Sequence, residues 1–82
     1  MDKDIQLLKR ISTSAEVMRG KPVIRGTRLT VQFVLGLLAH GQSIPSILEE
    51  YEGLEQDDVL ACLSFAAQAV DSSSFVPLGD FA

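Results

Sequence analysis

The stretch T-V-Q-F-V-L-G-L-L-A-H-G-Q-S-I-P-S-I-L-E-E-Y-E-G, Thr30 to Gly53, decides the fold. Val31, Val34, Leu35 and Leu38 recur at the i, i+3, i+4, i+7 spacing of one helical face, with Phe33 and Leu37 widening the stripe. Thr30 stands where an N-cap is needed. Gly41 stands where a left-handed residue commonly ends a helix, so a helix is expected from about Val31 to His40. Ser43 can cap a second, short helix that carries Pro45 in its first turn, where a missing N–H costs little, and that stops at Glu52-Gly53. Ile47, Leu48 and Tyr51 supply its apolar contacts.

Working outward toward the C-terminus, the cluster Glu55-Gln56-Asp57-Asp58 opens a third helix, with acidic groups in the first turn as the helix dipole favours. Its inward stripe is read as Val59, Leu63, Ala66, Ala67 and Val70. The second and third helices, joined at Glu52-Gly53-Leu54, have the length and spacing of a helix-turn-helix. Toward the N-terminus, Lys9-Arg10-Ile11-Ser12 and Pro22-Val23-Ile24 read as two short strands, and Arg25-Gly26-Thr27 as the turn after the second. A ribbon that small needs the helices or a second chain to pack on. The expected fold is mostly α, a three-helix core preceded by a two-stranded β-ribbon. Residues 1–70 form the domain and 71–82 a tail, which opens with Ser72-Ser73-Ser74 and then carries Phe75, Val76, Leu78 and Phe81.

Eighty-two residues allow one modest core, burying about 60–65% of the unfolded chain's surface, so a deep enclosed pocket is not expected from one copy. No apolar run is long enough to cross a membrane, and no export signal is read at Met1-Asp2-Lys3-Asp4, so a cytoplasmic location is expected. One cysteine, Cys62, and one histidine, His40, cannot make an internal disulfide or a zinc finger. The net charge of −4 hides a division. All seven basic residues (Lys3, Lys9, Arg10, Arg19, Lys21, Arg25 and Arg28) lie at or before position 28, against three acidic ones there, and the eight remaining acids follow with no cation among them. Either the two halves face different partners, or basic and acidic surfaces meet between subunits, or the charges are simply solvated.

The block G-K-P-V-I-R-G-T-R-L-T-V from Gly20, the G-x-S turn at Gly41-Gln42-Ser43, I-L-E-E-Y at Ile47 to Tyr51 and L-x-x-x-D-V at Leu54 to Val59 together resemble a small prokaryotic family, domain of unknown function 433. The likeness covers roughly Arg10 to Ala67. It implies a homeodomain-like helix-turn-helix fold. It also implies an antitoxin role, in which the protein neutralises a PIN-like nuclease encoded next door; repression of its own operon is a further expectation beside it. The chain departs from the family pattern at Ser14-Ala15, where Asp-Pro is usual, and at Glu55, where a Ser or Thr cap is usual.

The residues limit the chemistry. Gly20-Lys21 is followed by Pro22, which has no N–H to give a phosphate, so a Walker-type cradle fails and no G-x-G-x-x-G loop replaces it. Gly26 is explained as a positive-φ turn position. His40 is expected to meet the last carbonyls of its helix, and Cys62 to pack as a small apolar residue. The carboxylates Glu49, Glu50, Glu52, Glu55, Asp57 and Asp58 lack calcium-loop spacing. No catalytic residue, metal or cofactor is therefore expected.

What remains is binding. Arg25 and Arg28 flank the turn, and guanidinium groups fork onto phosphate and carboxylate alike; the bland alternative is salt bridges to Glu49, Glu50 or Asp58. Lys9, Arg10, Arg19, Lys21, Arg25, Arg28 and Gln56 are the candidate DNA- or partner-binding residues. The third helix is acidic at its start and would repel phosphate, so DNA contact is expected from the basic ribbon, doubled in a homodimer. A PIN-like nuclease holds metal with clustered carboxylates and would accept a cation, while the tail residues Phe75, Val76, Leu78 and Phe81 could fill a groove on a partner, on the chain's own domain or across a dimer. The expected function is thus an antitoxin-like binding protein. A stand-alone DNA-binding regulator and a dimeric adaptor that binds no DNA are the alternatives.

Overall fold

A computed structural model describes residues 2–13 and 18–72. The elements run α1 (Asp2–Leu8), β1 (Ile11–Ser12), a 3-10 turn (Met18–Gly20), β2 (Val23–Ile24), α2 (Val31–Ala39), α3 (Ile44–Glu50) and α4 (Gln56–Ser72). The chain is mostly helical with a two-stranded antiparallel sheet near its N-terminus, as the patterning predicts. Ile11 pairs with Ile24 and Ser12 with Val23.

The caps place the helices. Thr30 accepts the Phe33 N–H at 3.0 Å to start α2. At its end Gly41, at φ +94, lets its own N–H reach the Leu38 carbonyl and the Gln42 N–H reach that of Leu37, the two bonds of a Schellman stop. The helix therefore closes at Ala39, with His40 as its C-cap. Ser43 accepts the Ser46 N–H at 3.2 Å and starts α3.

The fourth helix lacks a Ser or Thr cap and uses another device. Asp58, in its first turn, reaches back and accepts the Glu55 N–H on Oδ2 at 2.8 Å, one half of a capping box. This helix is the centre of the fold, since α1, α2, α3 and β1 all pack against it. Ile24, Val34, Ile47, Val59, Ala61 and Cys62 are the fully enclosed part of the core.

Three sequence expectations change. The first helix, α1, was not expected; seven residues are too short to be helical alone, and α1 is held by packing Leu7 into the core against α4. The strands are shorter than expected, because Lys9 and Arg10 turn the chain out of α1, although the Arg25 N–H still reaches the Arg10 carbonyl at 2.7 Å. The inward face of α4 is rotated: Asp58, Val59, Ala61 and Cys62 are buried, whereas Leu63, Ala67 and Val70 are exposed and Ala66 is half-buried. An alanine-rich helix offers two stripes of helical spacing, and the one chosen contains Asp58 because its charge is matched inside the fold, as described next. The tail residues Phe75, Val76, Leu78 and Phe81, and the departure at Ser14-Ala15, lie outside the described residues.

Candidate functional site

The turn that opened the functional question is built by its own backbone. The Thr27 N–H bonds the Ile24 carbonyl at 3.0 Å and Gly26 sits at φ +83, the geometry of a type II turn with glycine at its third position. The Thr27 hydroxyl donates to the Ile24 carbonyl at 2.8 Å and accepts the Leu29 N–H at 3.0 Å. Ile24 N–H returns to the Leu29 carbonyl at 2.9 Å, and Val31 N–H to that of Pro22 at 2.9 Å. A rigid loop thus delivers the chain from β2 into α2 and fixes where Arg25 and Arg28 leave it.

The seven sequence candidates divide according to what they touch. Arg10 is consumed internally. Its Nη1 lies 2.9 Å from Glu55 Oε1 and 3.0 Å from Asp58 Oδ1, with Nη2 3.8 Å from Asp57 Oδ2. Hydrogen bonds to Glu55 and then Asp58 raise the Arg10 pKa further above its ordinary value. Asp58 is only 8% exposed, so Arg10 and the Glu55 N–H together satisfy a carboxylate that would otherwise be costly to bury. This pair pins the ribbon to the start of α4. The basic and acidic halves of the chain therefore meet, at this point, within one copy.

Arg25 is half committed: its Nε donates to the Lys9 carbonyl at 2.9 Å and its Nη2 lies 3.5 Å from the Ile11 carbonyl, while the side chain stays exposed. Arg25 thereby braces β1 and does not pair with Glu49, Glu50 or Asp58. Arg19 is exposed in the left-handed region at φ 59, followed by Gly20 at φ 81. Lys9, Lys21 and Arg28 are exposed, and among the described residues no acid pairs with them. Gln56 is exposed at the first position of α4.

The family model described as Protein of unknown function (DUF433) matches residues 11–66. The chain belongs to the DUF433 family. No curated protein and no solved structure matches it. The DUF433 match runs from β1 to the middle of α4, leaving α1 and the chain beyond residue 66 outside it.

Within the DUF433 region the structure adds a residue that the helical stripe concealed. Phe33 is 42% exposed and lies between two surface depressions. One is a groove of about 630 Å³ lined by Lys21, Gln32, Gly36, Leu37, His40 and Gln42 with Thr30 and Phe33; the other, on Arg28 and Leu29, shares Thr30 and Phe33 with it. Phe33 is held in place by an edge-on contact with Tyr51, ring centroids 5.7 Å apart. The result is an aromatic ring flanked by Lys21 on one side and Arg28 on the other. In the lining of the larger groove, Gln42 Oε1 is a buried acceptor with no partner among the described residues. The signal was present in the sequence: at 100° per residue Phe33 falls roughly opposite the stripe of Val31, Val34, Leu35 and Leu38.

The nucleophile candidates behave as packing groups. Cys62 is enclosed, and burial, aided by the charge of Asp58, pushes its thiol up to about 11. His40 Nδ1 lies 2.8 Å from the Gly36 carbonyl, at the end of its helix. Among the described residues no group of His, Cys, Asp and Glu is placed to hold a metal ion, and no helix is long and apolar enough to cross a membrane.

Proposed function

We propose that this chain is a binding protein of the antitoxin type, which neutralises a PIN-like nuclease by presenting Arg28 and Phe33, flanked by Lys21, to its carboxylate-lined site. The observation that carries this reading is an exposed aromatic ring set between two exposed cations that have no acidic partner among the described residues. Aromatic and arginine side chains are the anchors that protein interfaces favour. A guanidinium suits a cluster of metal-binding carboxylates because its planar fork pairs with two oxygens at once. The nuclease itself is what resemblance to the family implies. A homodimer fits the apolar groups left on the surface at Ile5 and Leu63. A cytoplasmic location follows from the proposed partner, which is an intracellular nuclease.

Autoregulation of the operon is a second activity of the same proposal. Here DNA contact falls to Lys9, Arg19, Lys21, Arg25 and Arg28 rather than to α4. The start of α4 carries Glu55, Asp57 and Asp58, and Arg10 is already engaged with them, so Gln56 is left among like charges that repel phosphate. Co-expression with the product of the neighbouring gene, followed by affinity capture, tests the main reading. Recovery of a stoichiometric complex that suppresses nuclease activity is expected. A nuclease that stays fully active beside this protein would overturn it. Operator binding is checked separately by a salt-sensitive mobility shift with the promoter DNA.

A further inference from the structure

Beside the Phe33 groove, and sharing Lys21, Thr30 and Gln32 with it, the fold leaves an apolar groove between α2 and the end of α4. It is about 340 Å³ in volume, and Pro22, Val31, Leu35, Phe65, Ala69 and Val70 are among the residues that line it. Val70 is 59% exposed at its edge. A shallower depression of about 310 Å³, on Leu8 and Ile11, shares Phe65 and Ala69 with it. Together they make a mostly apolar strip that runs over the last turns of α4, the surface a small domain ordinarily covers.

We infer that residues Phe75 to Phe81 of the same chain cover this groove. Three observations lead there. The first is continuity: the groove is floored by positions 65 to 70 of α4, and the helix ends at Ser72, where the remaining segment begins. Phe65 lies seven residues before that end, about 10 Å along the helix axis at 1.5 Å per residue. A reversal at Ser73 and Ser74 returns Phe75 beside Val70 and Ala69, and the six residues from there to Phe81, about 20 Å when extended, carry Leu78 and Phe81 on toward Phe65 and Leu35.

The second observation is chemistry. Residues 73–82 carry Phe75, Val76, Leu78 and Phe81, and Pro77 biases Val76 toward an extended conformation that lies along a groove. The third is charge. The only charged side chain of that segment is Asp80, and the only charged side chain on the groove's rim is Lys21, which no described acid pairs. Docking brings the two within reach. It leaves Arg28 as the cation of the Phe33 surface without a partner inside the chain, so the inference stands or falls separately from the proposed nuclease binding.

The test uses the full chain carrying Ala82→Cys with a nitroxide spin label. Cys62 is buried and does not compete for the reagent. In the labelled ¹⁵N protein the amide signals of Val31, Leu35 and Ala69 are expected to lose most of their intensity. Adding Phe75→Ser, Leu78→Ser and Phe81→Ser should restore them. A mixture of unlabelled-nitrogen, spin-labelled chain with ¹⁵N, label-free chain should show no loss. Full intensity at Val31, Leu35 and Ala69 in the first sample overturns the inference. So does a loss that survives the triple substitution, or one that appears only in the mixture, which would assign the groove to a second copy.

Discussion

Replacing Asp58 by alanine removes the one carboxylate that is enclosed among the described residues. In the native chain its two oxygens are spoken for, Oδ2 by the Glu55 N–H and Oδ1 by Arg10 Nη1. Asp58→Ala removes two part-buried bonds to a charged carboxylate at the start of α4, and hydrogen bonds to charged groups are worth about 1.5–3 kcal/mol. A domain of this size loses roughly 4–8 °C of melting temperature per kcal/mol, so the midpoint should fall by about 5–20 °C. Thermal and urea unfolding followed by helical circular dichroism reads this directly. Asp57 gives the control: it is exposed and 3.8 Å from Arg10, so Asp57→Ala should stay within about 0.5 kcal/mol of native. Arg10→Met should destabilise the native chain but do less on the Asp58→Ala background, because its best-buried partner is already gone. The reasoning is refuted if Asp58→Ala and Asp57→Ala unfold together, or if the Arg10 and Asp58 effects simply add.

Gly26→Ala meets nothing within 4 Å, so its cost is backbone strain at φ +83 alone, about 1–2 kcal/mol, readable as a lower urea midpoint at unchanged slope. Ile47→Ala, at a fully buried site, should cost about 2–5 kcal/mol and leave a chain near the edge of folding at 37 °C. The Cys62 thiol is raised from 9.0 to about 11 in the folded chain, so above pH 9 the unfolded state sheds a proton that the native state keeps. Stability should therefore be indifferent to this group below pH 9 and decline from there to about pH 11, and Cys62→Ala should remove that part of the slope; equal slopes in the two proteins would contradict it.

Much of this fold was legible because short-range signals carried it. Thr30, Gly41 and Ser43 announce helix ends through bonds made within three or four residues, and Gly26 announces a turn through a single dihedral angle. What the sequence withheld depended on distance along the chain. Nothing near Arg10 says that its partners lie at 55, 57 and 58, and without that pairing no pattern argues for burying an aspartate on α4. The misread face of α4 follows from the same gap, since Leu63 and Val70 are the more hydrophobic choice until Asp58 is neutralised from across the fold. The helix α1 was hidden for a related reason: its seven residues take their order from α4.

The candidate site shows the converse. Six of the seven candidates, Lys9, Arg10, Arg19, Lys21, Arg25 and Arg28, share one composition-level argument, yet the structure gives them different situations. Arg10 is a staple, Arg25 a brace against β1, and Lys21 and Arg28 are exposed beside Phe33. Charge counting selects all the cations alike, and only geometry separates those already used from those still presented. Phe33 entered the reading as core because it is apolar and helical, although its angle on the wheel placed it outside.

Arg28 and Phe33 are proposed as the anchors of a protein partner, and the most direct measurement is titration of the proposed nuclease partner with native, Arg28→Glu and Phe33→Ala chains, with each chain's melting temperature recorded alongside. Native protein should bind with an affinity that weakens as salt is raised. Both variants should melt close to native yet bind at least about tenfold more weakly, the equivalent of roughly 1.4 kcal/mol. Unchanged affinity in well-folded variants would contradict the claim.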